Sequence, residues 1–437
     1  MKNILLIPST LWRKVRIYSR KLWVRVLAMG LLSFVSLGIT QLIEIFVPEE
    51  MAGRLSGASA DRLLDIIASA MLSATIFSMT VMVSTYRSSA SQWTPRVHRL
   101  IMQDTTTQKT LSAFIGAYLY ALVAIVLREM DVFGDEHALV IFWLTVMVLA
   151  YVVWSLVRWV LHLQTFGSLL HTTRQVEDIT KRRFRERLTT PCFGANPLRG
   201  SVPDNAQPVD ADESGYIQHI YPEGLQAVAE RYEIQIYLPK AIGAFIFLHE
   251  PLLWVVGDIP DDDDGEECKS LLRGHITIED LRSYDQDPRF GLTVMGEIAS
   301  KALSPGINDP GTAIDVITRV GRILSSYSDE TTGPEDKQDD GPELDRLWVP
   351  PLMPQDLLDD GFGSLARDGA QLFEVQHRLQ ATLAGLMQHP DAGLRQAARD
   401  FAEMSLRRAL EHMDFAADRD RLLASVSERL RLRVTEK

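Results

Sequence analysis

Four apolar stretches dominate the first part of the chain, at residues 22–47, 63–85, 111–127 and 139–163. A membrane-crossing helix needs about 20 mainly apolar residues, so each stretch predicts a span. The third is the shortest and predicts an upright helix or slight local thinning of the bilayer. Pro48 closes the first stretch. Ahead of it, residues 1–21 are expected to form a basic interfacial segment. The apolar run at residues 4–7 is too short for a cleavable signal, and Trp12, Tyr18 and Trp23 suit the headgroup zone.

Past the last span the helical spacing continues through Leu163, Phe166, Leu169 and Leu170, with Gly167 its weak point, and predicts a basic connecting helix over 164–190. That helix would present charge beside the membrane or pack on a neighbouring subunit. Pro191, Pro197 and Pro203, with nearby glycines, predict a linker over 191–213. The pattern then shortens. Strands are expected at 215–220, 233–238, 244–248 and 252–256 and a helix at 222–232, giving a small β-rich unit over 214–258. Residues 277–437 read as mainly helical, with apolar stripes over 365–388 and 394–432. Two charged runs interrupt this part. Residues 261–267 are expected as a solvated loop: an EF-hand register would put Pro260 first and Leu271 twelfth, and neither is a ligand that loop requires. Residues 328–345 are expected as a disordered insertion. The fold class is therefore a mainly α membrane protein, with four transmembrane helices followed by a cytoplasmic α+β domain.

Charge supplies the orientation. The 437 residues carry a net charge of −12, but the basic residues cluster before the first span, between the second and third, and after the fourth. The remaining two loops are acidic, with Glu49, Glu50 and Asp61 in one and Glu129, Asp131, Asp135 and Glu136 in the other. Lys and Arg stay on the cytoplasmic side, so both termini are expected there. An acidic soluble part argues against nucleic acid. Two cysteines, Cys192 and Cys268, allow neither a disulfide framework nor a cysteine-rich metal site, and no cofactor is expected.

Within the second span, Asp65, Ser69, Ser73, Thr80 and Ser84 recur at helical spacing. The stripe has two readings: a water-facing lining of a pathway, or a small-residue face on which helices pack closely. Glu44 either joins the first or reaches the interface. Arg87, Arg96 and Arg99, around the helix start predicted by Thr94-Pro95, are candidate lipid-phosphate ligands or plain topology determinants.

The most specific local sequence is Asp287-Pro-Arg-Phe-Gly-Leu292 followed by Ser304-Pro305-Gly306-Ile307-Asn308-Asp309-Pro310. Each Asp-Pro predicts an N-cap with proline at the first helical position, and the glycine-containing turn between them predicts a helical hairpin. Its tip is either a docking site, with Asn308 and Asp309 at a positive helix end, or a rigid corner. With Ser91-Gln-Trp-Thr-Pro-Arg96 and the four spans, these motifs resemble the bacterial membrane family of domain of unknown function 2254. The resemblance covers most of the chain. It implies an inner-membrane protein with a cytoplasmic domain and no established activity.

Catalytic motifs of the G-x-S-x-G, H-E-x-x-H, P-loop and G-x-G-x-x-G kinds are missing from the sequence, so no enzyme is expected. The expectation that fits the pattern is a homo-oligomeric, cation-leaning small-ion channel with a regulatory domain. The alternative is a non-conducting scaffold or envelope sensor that binds a cytoplasmic partner.

Overall fold

The computed structural model describes Val24, Leu27 and residues 57–102, 104–130, 138–260, 262–331 and 342–435. The segment 1–21, most of the span expected over 22–47 and most residues of the two acidic loops lie outside these. The chain divides into two compact units between His171 and Thr172.

In the first unit, α1 (Gly57–Gln92), α3 (Thr105–Glu129) and α4 (Ala138–Leu163) pack together, and α2 (Pro95–Met102) is short. Among the described residues, three helical stretches are long and apolar enough to cross a membrane: Ala58–Gln92, Pro95–Glu129, which takes α2 together with α3, and Ile141–Leu163. Ala60, Leu64, Ile67, Met71, Thr75 and Ser78 form the buried seam of α1 at steps of three and four. They meet Phe114, Ala117, Tyr120, Ala121 and Ala124 of α3, and Ile141, Val152 and Trp159 of α4. The alanines let the backbones approach, which is how helices gain packing in lipid. Large apolar side chains point outward instead, among them Ile76, Phe77, Trp143, Met147, Trp154 and Leu161. A surface of that kind belongs in a bilayer.

Polar contacts tie the helix ends. At the start of α1, Asp61 pairs with Arg128 near the end of α3, the guanidinium Nη2 lying 3.2 Å from Oδ2. At the other end, Asp104 caps α3 by accepting from the Thr107 N–H at 2.7 Å and lies 2.9 Å from Nε2 of His162 in α4. The continuous helix expected past residue 163 is broken. Gly167 sits at φ +76, where other residues are strained, and α5 (Leu169–Thr189) begins after it.

The second unit holds two sheets and a helical bundle. Strands β1 (Ala195–Pro197), β2 (Gln207–Asp210), β3 (Gly215–Ile220), β4 (Gln235–Tyr237), β5 (Phe245–Ile246), β6 (Pro251–Val256), β7 (Ile276–Glu279) and β8 (Leu344–Val349) make a five-stranded sheet ordered β1-β8-β4-β6-β2 and a three-stranded one ordered β5-β3-β7. Helices α6 (Pro222–Arg231) and α7 (Asp263–Gly274) accompany them. Ile217, Leu225, Val228, Ile236, Leu253, Val255, Leu272 and Leu347 fill the core. The bundle is α8 (Pro288–Ala302), α9 (Pro310–Leu324), α10 (Pro354–Asp368), α11 (Phe373–Leu386) and α12 (Ala392–His412), followed by α13 (Ala416–Ser425) and α14 (Glu428–Thr435).

Three expectations need correction. Residues 191–213 are more than a linker, since they contribute both outer strands of the five-stranded sheet. Pro197 in β1 and Pro208 in β2 sit on those edges, where a missing N–H breaks no ladder. The acidic run is the start of α7. Asp262 caps it, accepting from the Asp264 and Gly265 amides at 3.1 and 3.2 Å, and Asp263, Asp264 and Glu266 lie in the first turn, where negative charge is favoured. The stretch 328–345 is not wholly an insertion: Glu330 is buried and Leu344 opens β8, which lies between β1 and β4. Asp261 and residues 332–341 lie outside the described residues.

Candidate functional site: an outward polar face and a motif hairpin

Every described member of the predicted stripe is on α1 and exposed: Asp65, Ser69, Ser73, Thr80 and Ser84. They face away from the seam that packs on α3 and α4. Ser69, Ser73 and Thr80 donate their hydroxyls to the carbonyls four residues back, of Asp65, Ser69 and Ile76, at 2.9, 3.1 and 2.9 Å. The hydroxyls are thus satisfied within the helix, and the Asp65 carboxylate is the most polar group the face presents. Thr75 and Ser78, which hydropathy alone does not separate from the stripe, are on the buried side. Glu44 lies outside the described residues.

Arg87, Arg96 and Arg99 are exposed at the end of α1 and on α2. Val97 and Ile101 bury the inner side of α2. The same two helices are joined by polar contacts: the Tyr86 hydroxyl donates to the Met102 carbonyl at 3.3 Å, and Ser89 Oγ lies 2.7 Å from Nδ1 of His98.

The second unit contains the motif hairpin as its caps predict. Asp287 accepts from the Phe290 N–H at 2.9 Å and begins α8; Asp309 accepts from the Thr312 N–H at 3.1 Å and begins α9. Between them Ser304 turns the chain, its carbonyl accepting from the Ile307 and Asn308 amides at 3.0 and 2.9 Å. Asn308 takes φ +51, a conformation that asparagine tolerates better than most residues. The Asp309 amide then donates to the Ala302 carbonyl at 2.8 Å, closing the corner. Pro305, Gly306, Ile307 and Asn308 are exposed, and Ser304, Asp309 and Pro310 partly so.

The two Asp-Pro caps differ in environment. Bonds from the Thr312 hydroxyl and amide hold the Asp309 carboxyl below its ordinary value. Asp287 is 2% exposed, and burial pushes its carboxyl up despite the Arg282 guanidinium, whose Nε and Nη2 lie 2.9 and 2.8 Å from Oδ2.

Sequence reasoning missed the charges that hold α5 to its own unit. Glu177 accepts from Arg319 and, at 3.0 Å, from Arg322, both on α9. Arg187 pairs with Glu330. The available signal was spacing: Glu177 and Arg187 share the face of Val176, Thr180 and Phe184, all buried.

These features define an α-helical membrane unit followed by an α+β unit with a capped hairpin. The chain belongs to the DUF2254 family of predicted membrane proteins, whose family model matches residues 19–385. It is also similar to uncharacterized proteins of Mycobacterium tuberculosis and Mycobacterium bovis, 28% identical over 226 residues in each case. The match takes in 51% of this chain and 43% of each relative, so the chain spans less than half the length of the curated relatives it matches. No solved structure matches it.

Proposed function

We propose that the protein is a homo-oligomeric, cation-leaning small-ion channel with four spans, both termini in the cytoplasm of a bacterial inner membrane, and a regulatory rather than catalytic soluble unit. The observation that carries this reading is the exposed face of Asp65, Ser69, Ser73, Thr80 and Ser84 on a helix otherwise suited to lipid. A carboxylate facing hydrocarbon is costly, so the face calls for water or a neighbouring subunit, and a pathway between subunits supplies both. In the sequence, Glu44, Glu49 and Glu50 add negative charge toward the expected outer side, partly offset by Arg54 and Arg62. Asp61 contributes less, being paired with Arg128.

The competing reading is a non-conducting scaffold in which the same face is packed dry against another helix. The hydroxyls bonded back to their own helix favour it. Ion flux from purified protein in liposomes separates the two. A channel gives flux that Asp65→Asn reduces and Ser73→Leu blocks. Absence of flux in the unaltered protein across voltage, pH and osmotic load leaves the scaffold. Flux that neither substitution changes moves the pathway off α1.

A further inference from the structure

Six basic side chains crowd α5, and the structure divides them by task. Arg183 and Arg187 turn inward. Arg183 bonds to Glu186 at 2.6 Å and reaches Asp285 at 3.4 Å, while Arg187 is buried against Glu330. The other four, Arg174, Lys181, Arg182 and Arg185, form no ion pair or hydrogen bond among the described residues. Arg174, Arg182 and Arg185 are exposed and Lys181 partly so. At about 100° per residue they fall within one arc of roughly 100° on the helix. The opposite side carries Thr173, Val176, Thr180 and Phe184, all buried.

Elsewhere in this unit many basic side chains are matched by acids, among them Arg231 with Glu267, Lys240 with Glu250, Arg289 with Asp360 and Arg319 with Asp315, and Arg273 and Arg346 bond to backbone carbonyls. What sets α5 apart is the concentration of four such cations within one arc of a single helix, in a chain of net charge −12. Asp178 lies on the same face and offsets one of the four cations. Along the chain, only residues 164–168 separate α4, the last apolar helix among the described residues, from α5, and the stripe begins at Arg174.

We infer that the outer face of α5, through Arg174, Lys181, Arg182 and Arg185, binds the anionic headgroups of the bilayer that holds α4. The occupant is fixed by charge complementarity and by the short tether. Basic residues beside a membrane span are attracted to acidic lipids within a Debye length of the surface, and five linking residues keep the start of α5 close to the bilayer. Arginine suits phosphate because its planar donors meet two oxygens at once. The opposite face of α5 is held within its unit by Glu177 and Arg187, so engagement of the stripe orients a rigid strut rather than a loose tail.

The test uses the full-length protein in nanodiscs of phosphatidylcholine, with or without phosphatidylglycerol, containing a lipid with a nitroxide on its headgroup. A fluorophore is placed at Thr189→Cys, an exposed position that continues the same face. Cys192 and Cys268 are buried and stay unlabelled. The expected result is stronger quenching in the phosphatidylglycerol discs. That excess is lost in R174Q/K181Q/R182Q/R185Q, kept in R174K/R182K/R185K, and lost for the unaltered stripe at high salt. Equal quenching in the two kinds of disc overturns the inference, as does an excess that survives either the fourfold substitution or high salt. The salt arm needs no substitution in the stripe and decides the matter even if the fourfold variant fails to fold.

Discussion

Arg187 and Glu330 form a sealed pair: the guanidinium Nη2 lies 3.1 Å from Oε2, and the side chains are 6% and 0% exposed. Glu330 also accepts from the amides of Cys192 at 3.2 Å and Leu352 at 2.6 Å. One carboxylate thus joins the end of α5, the turn before β1 and the segment after β8. Removing one partner of a buried pair costs about 3–5 kcal/mol. Glu330→Ala is expected to lower the melting temperature of the second unit markedly in differential scanning calorimetry of the detergent-solubilised protein. Glu330→Gln, which keeps an acceptor, is expected to fall between it and the unaltered chain.

At the motif corner, Asp309→Ala removes the cap of α9 and is expected to cost about 1 kcal/mol, read as a shift in chemical-denaturation midpoint. The pH dependence has a fixed sign. The folded carboxyl lies below its unfolded value, so its stabilisation is present above the unfolded value of about 3.9 and is lost as pH falls through the lower, folded value. The stability gap between the unaltered protein and Asp309→Asn is therefore expected to narrow on acidification. A gap that widens contradicts the assignment.

Asp287 should behave in the opposite sense. Its folded carboxyl is raised by burial, so its contribution is most favourable below the unfolded value and is lost as pH rises through the folded one. Comparing Asp287→Asn with the unaltered chain over the acid range is expected to give a slope opposite to that of Asp309→Asn.

Gly291 of α8 lies against Thr180 of α5, and a Cβ there would collide with the threonine side chain. Gly291→Ala is expected to destabilise by about 1–3 kcal/mol, the usual cost of overpacking, measured by the same denaturation midpoint. Gly306→Ala is the control. No atom lies within 4 Å of a Cβ at that exposed position, so little change is expected.

Burial pushes the Cys192 thiol up to about 12 and the Cys268 thiol up to about 11. Since the thiolate is the reactive form, neither is expected to react with a disulfide reagent at mildly alkaline pH until denaturant is added, when both do. Absorbance of the released thiol chromophore checks this.

What the sequence made legible follows from how local each signal is. Hydropathy identifies α1, α3 and α4 because each is a long run of one character. The Asp-Pro caps of α8 and α9 declare themselves within four residues. Strands β3 and β6 show in short apolar runs. The short edge strands β1 and β2 are hidden because prolines that usually interrupt sheets are harmless at an edge. Strand β8 is hidden because its parallel partners β1 and β4 lie more than a hundred residues earlier. The start of α7 looks like a loop because its acids read as solvated charge until the helix end they cap is known. The stripe on α1 is legible as a stripe; that it turns away from α3 and α4 depends on which face the alanines of α3 occupy, and only packing decides that.

The strand order has a consequence for synthesis. In the five-stranded sheet, β8 separates β1 from β4 and pairs in parallel with both. A ribosome moving at about 5–20 residues per second needs about 7–30 seconds to travel from β1 to β8. Until β8 emerges, β1 lacks its pairing neighbour and one side of β4 is uncovered, and exposed strand edges invite pairing with other chains. The nascent second unit therefore waits, with open edges, for its last strand. A chain interrupted before residue 344 should be a substrate for chaperones or proteases rather than a smaller folded domain.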